Sequence, residues 1–98
     1  MQFSVRTTDY EKNLMLNICD LDLLGKTIVE KELNMNISKS YYGDKIIEHD
    51  EAKHLLKNAS IINMVGKETV SLSLEIGVGS EKSVKLIDGV PFLIVFKM

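Results

Sequence analysis

The sequence predicts an α+β protein: a single domain over residues 1–98, with an antiparallel sheet of about four to six strands and two helices packed on one face. Three observations carry that prediction. Apolar and polar residues alternate at period two over several stretches, the mark of half-buried strands. The period becomes helical between Asp50 and Ala59. Near the end of the chain, Asp88-Gly89 separates two apolar runs, the composition of a two-residue hairpin turn.

The elements follow in order. Phe3, Val5 and Thr7 alternate with Gln2, Ser4 and Arg6. Leu14, Leu16 and Ile18 alternate with Asn13, Met15 and Asn17, and Thr8–Lys12 between the two stretches reads as a hairpin loop. Thr27-Ile28-Val29 suits a short strand or a turn before Leu33, Met35 and Ile37, which alternate again. Ala52, Leu55, Leu56 and Ala59 follow helical spacing, with Asp50 and Glu51 at the end where the helix dipole favours acids. Ile61–Gly66 is then a buried connection. Lys67–Ile76 carries two signals. Val70, Leu72, Leu74 and Ile76 alternate as in a strand, yet Val70/Leu74 and Leu72/Ile76 are also helical i,i+4 pairs, with Gly77 as a stop. Ser83–Ile87 and Val90–Phe96 form the hairpin around Asp88-Gly89. Pro91 cannot donate to a ladder, so it faces out of the pairing or sits in a bulge. Val90–Phe96 is apolar on both faces, which predicts a central strand or a homodimer interface.

Charge removes several partners. Lys and Arg total 12 against 14 Asp and Glu, a formal net charge of −2, and no two basic residues are adjacent. Strong non-specific nucleic-acid binding needs a basic footprint, because its affinity comes from neutralising phosphates. A polybasic membrane anchor is excluded on the same ground, and no apolar run approaches the ~20 residues of a spanning helix. The first residues have neither a basic nor an apolar signal region. The lone Cys19 has no disulfide partner and ends an apolar strand, so a reduced thiol in the cytoplasm is expected. The open partners are a protein or a structured RNA.

Motifs that carry chemistry fail at named positions. Gly25-Lys26-Thr27 looks like the tail of a phosphate-binding loop, but the glycine required five residues earlier is Asp20. The bland reading is a turn in which Gly25 takes positive φ. Asp20-Leu21-Asp22 opens like a calcium loop, but Leu24 and Lys31 stand where oxygen ligands are needed. His49 and His54 lie five apart rather than the four of a helical zinc pair. No metal, cofactor or catalytic residue is assigned, and no serine stands in a nucleophile elbow.

Two places invite a partner. Tyr41-Tyr42-Gly43-Asp44 is the densest aromatic cluster, able to stack on bases, or simply a turn whose rings cover the sheet edge. Asn63 is the polar residue inside Ile61–Val65. A buried Asn must be hydrogen-bonded. It either caps backbone near Gly66 or meets a ligand at a helix start.

Taken in order, Leu23-Leu24-Gly25-Lys26-Thr27, Tyr41-Tyr42-Gly43, Ala59–Gly66 and Asp88-Gly89-Val90-Pro91 resemble a family of small, mainly archaeal proteins, that of domain of unknown function 424. The resemblance spans the chain through the order of its blocks, and departs from the family at Ser71-Leu72-Ser73-Leu74. It implies a helix over Lys67–Ile76, and a link to translation or ribosome maturation. It also singles out Lys26, Thr27, Tyr42 and Asn63 as binding candidates. Gly25, Gly43, Gly66 and Pro91 are singled out as structural positions, and Gly89 joins them from the hairpin turn. The resulting expectation is a non-enzymatic interaction module. The alternative is a small metabolite-binding protein or enzyme with a site near Lys26 and Asn63.

Overall fold

The computed structural model describes residues 1–97. β1 (Gln2–Tyr10), β2 (Asn13–Asp20), β5 (Lys45–Glu48), β6 (Ile61–Val65), β7 (Lys85–Ile87) and β8 (Val90–Phe96) form one sheet in the order β5-β1-β2-β6-β8-β7. β3 (Thr27–Glu30) and β4 (Leu33–Asn36) make a separate hairpin, so Thr27–Val29 is a strand. The helices are α1 (Lys39–Tyr42), α2 (His49–Asn58) and α3 (Lys67–Glu75). The class is α+β, as the alternating patterns predict. The sheet is mixed rather than wholly antiparallel, because β2 and β6 run parallel. The long crossover between them carries α2, which returns the chain to the same end of the sheet, whereas tight hairpins join β1 to β2 and β7 to β8.

One face of the sheet holds the larger core. Phe3, Val5, Leu16, Ile18, Ile62, Met64 and Leu93 meet Ala52 and Leu56 of α2 and Val70 and Leu72 of α3. Both longer helices therefore lie on one face, as expected. The opposite face, called the back face below, holds a smaller cluster of Cys19, Ile28, Ile37, Tyr42 and Val65. It is covered in part by α1 and the β3–β4 hairpin. That cover buries Ser4 and Asn17, which the alternation places on a solvent side. Leu33, at the turn of the small hairpin, is exposed instead.

Three local outcomes differ from the sequence reading. Ile61–Gly66, read as a buried connection, carries strand β6, because β2 and β8 pair with it on either side. β1 runs on to Tyr10, and the turn is Glu11-Lys12, both with positive φ, rather than a five-residue loop. The strand before the last hairpin starts at Lys85, because Glu81–Ser83 form a 3-10 turn held by the Ser80 side chain. Within Lys67–Ile76 the helix that the resemblance implies does form, over Lys67–Glu75. Thr69, Val70, Leu72 and Ser73 are its buried residues, a pattern of i, i+1, i+3 and i+4. Gly77 follows at φ +81 and its N–H donates to Leu74, the stop expected there. The Asp88-Gly89 turn has φ of 51° and 76°, the two positive values of type I′.

Candidate functional site

The parallel pairing of β2 and β6 builds the site. It sets Asn17 beside Asn63, with Ile94 of β8 opposite Asn63 on the other side. The Asn63 Nδ2 donates to Asn17 Oδ1 at 2.7 Å, and the Asn17 Nδ2 donates to the Tyr41 carbonyl at 3.1 Å. Asn63 therefore does not cap backbone near Gly66. It is one half of an amide pair that ties three elements together. With one amide donor spent on Asn17, Asn63 lines a cavity of about 300 Å³. Met35, Tyr41, Tyr42, Phe92 and Ile94 wall it, with Lys85 at the β7 side.

α1 aims the two tyrosines. Ser38 caps it, its Oγ accepting from the Tyr41 N–H, and the Ser4 hydroxyl donates to the Tyr42 carbonyl at 2.9 Å. A Cβ on Gly43 would press on the Lys39 carbonyl at 2.9 Å, so a glycine lets the chain turn away there. The rings meet edge to face with centroids 5.1 Å apart. Tyr42 is buried and Tyr41 about half exposed, so the pair covers the back face rather than the sheet edge.

Burial pushes the Tyr42 hydroxyl up to about 12, with Tyr41 and Cys19 adding to it. Burial, and then the Asp20 and Asp22 carboxylates, push the Cys19 thiol up to about 12 from its ordinary 9.0. Both groups stay neutral in the folded protein at a pH where the unfolded chain has ionised them. Their contribution to stability is complete below pH 9 and is lost as pH climbs towards 12. The native thiol should stay inert to a disulfide reagent at pH 8 and react at once in denaturant, while alkaline titration should lower the melting temperature above pH 9. Rapid native labelling would contradict this burial.

The other predicted residues fall elsewhere. Gly25 has φ +87, its N–H donates to the Ile37 carbonyl, and the Lys26 carbonyl accepts from the Ile37 N–H. Gly25-Lys26-Thr27 thus makes the turn into β3. Lys26 and Thr27 are exposed, and the Thr27 hydroxyl accepts from Asn36 at 3.4 Å. Neither lines the cavity of Tyr42 and Asn63.

Gly66 and Pro91 meet at a second place, around Asp20. The Asp20 carboxylate accepts from the Thr69 N–H at 2.8 Å, the Thr69 hydroxyl at 2.7 Å and the Glu68 N–H at 3.1 Å. It is the cap of α3 supplied from β2. The Gly66 N–H donates to the Pro91 carbonyl. Because Pro91 has no N–H to return, the Gly66 carbonyl is free to accept from Val70 and open the helix. Pro91 therefore sits at the end of the β6–β8 ladder, which explains its tolerance. Sequence reasoning missed both Asn17 and Asp20, whose side-chain partners lie 24 to 49 residues away.

Among the described residues, no three His, Cys, Asp or Glu side chains gather as a metal site, and no helix is long and apolar enough to cross a membrane.

The crystal structure of an uncharacterized conserved protein from Methanopyrus kandleri matches this fold with a TM-score of 0.81 at 23% identity. The match covers 100% of this chain and 95% of that one. A search of curated proteins finds no match. A family model described as "Protein of unknown function (DUF424)" matches residues 7–98. The chain thus belongs to the DUF424 family.

Proposed function

We propose that this protein is a non-enzymatic binding module that docks a protein partner on the back face of its sheet. The observation that supports this is the Asn63 cavity, whose lining is mostly aromatic and aliphatic and holds a single amide, bonded to Asn17. Such a pocket accepts one apolar side chain and fixes its backbone with one hydrogen bond, the usual anchor of a protein interface. A protein is preferred to structured RNA because the wall offers one lysine, Lys85, and the chain carries a net charge of −2. A metabolite site shared by Lys26 and Asn63 has less support, since Lys26 does not line this cavity.

A photo-crosslinking phenylalanine analogue at Tyr41 tests the reading in native lysate. It should trap one protein band that survives RNase, while the same probe at Asp50, on α2 across the sheet, should not. Tyr41→Asp should weaken that capture about tenfold or more. Equal labelling from both positions, or loss of the band with RNase, would overturn a protein partner. The narrower form of the reading is a cytoplasmic accessory role in translation. It predicts co-sedimentation with ribosomal particles that Tyr41→Asp abolishes; migration only as free protein removes it.

A further inference from the structure

We infer that two copies of this chain join through the free edge of β8, pairing antiparallel about Val95. β7 ends at Lys85, opposite Phe92, so among the described residues no strand pairs with Leu93–Phe96 on that side. The direction of the backbone groups follows from two bonds. The Pro91 carbonyl accepts from Gly66 and the Lys97 N–H donates to Ser60, so odd-numbered residues of this stretch turn towards β6. Strand alternation then turns the N–H and C=O of Ile94 and Phe96 outward, to the open edge. These same residues carry exposed apolar side chains, Ile94 at 58% and Phe96 at 66%.

The contrast with the other edge identifies the occupant. Sheet edges avoid self-pairing by carrying charge. β5 carries Lys45 and Glu48, and the outer part of β1 carries Arg6 and Asp9. Leu93–Phe96 carries none, and the neighbouring Lys97 ammonium is bound at 2.7 and 2.9 Å to the carbonyls of Leu56 and Lys57. Two such edges meet without like-charge repulsion. Lys85 occupies the place opposite Phe92, so a second strand fits from Leu93 onward. A twofold axis at Val95 then sets Ile94 against the second copy's Phe96. Both outward residues exchange their backbone bonds, and an aromatic ring packs on a β-branched side chain.

Light scattering at tens of micromolar should give twice the monomer mass. Ile94→Pro removes an outward N–H and spares the β6 ladder, so it should give a monomer with unchanged circular dichroism. Ile94→Lys with Phe96→Lys should also be monomeric, whereas Ile94→Glu with Phe96→Lys should restore a dimer that high salt weakens. A monomeric wild type, or a dimer indifferent to Ile94→Pro and to the double-lysine variant, overturns the proposal. Failure of the charge-paired variant to restore it overturns the register. Tyr41→Asp should leave the mass unchanged, which separates this result from loss of the docking partner.

Discussion

Gly66→Ala is expected to lower the midpoint of thermal unfolding by at least ten degrees. Gly66 has φ +115, a region that L side chains rarely enter, and a Cβ there would overlap the Asp20 carboxylate. The backbone strain costs about 1–3 kcal/mol. Pushing Asp20 off the start of α3 adds ~1–3 kcal/mol for donors left without their acceptor. At ~4–8 °C per kcal/mol for a domain of this size, the sum is roughly 10–50 °C. Gly25→Ala is the control. Gly25 also has positive φ, at +87, but a Cβ there would meet nothing within 4 Å. It should lose strain energy alone, about 1–2 kcal/mol. Equal melting shifts for the two variants would refute the overlap argument.

Asp20→Ala should cost about 2–4 kcal/mol in a urea titration. It strips the acceptor from two N–H groups and from the fully buried Thr69 hydroxyl. Asp20→Asn keeps one oxygen at the helix start and should retain at least half of that stability. The two sites are coupled in a definite direction. Removing the carboxylate makes room for a Cβ at residue 66, so Asp20→Ala with Gly66→Ala should cost less than the separate losses added together, by about 1 kcal/mol or more. Strict additivity would mean that the carboxylate is not what Gly66 accommodates.

These two residues also show where sequence reading stops. The period-two patterns place β1, β2 and β4 because alternation is a local consequence of the pleat, and the apolar run beside Asp88-Gly89 places β8. The Asp88-Gly89 turn and the α2 stripe are legible for the same reason. β6, read as a connection, is not legible because it is apolar without alternating. Lys67–Ile76 satisfies strand and helix periods together. What decides between them is the sheet beneath, since β2, β6 and β8 leave room for a helix whose cap arrives from Asp20. Of the binding candidates, Tyr42 and Asn63 share a cavity, while Lys26 and Thr27 shape the turn into β3. Asn17 reads as solvent-facing because alternation reports the sheet's own two sides, not what later folds over them.

The amino-acid sequence by itself determined the α+β class, the hairpin turn, the apolar run of β8 and the absence of a basic footprint, all properties of neighbouring residues. Only the tertiary structure decided that β2 and β6 lie parallel. That pairing brings Asn17 to Asn63 and Asp20 to Gly66, 46 residues apart in each case. Hydrogen bonds and steric contacts act over a few ångströms, so which distant groups satisfy each other is set by the packing of the whole chain and leaves no periodic trace along it.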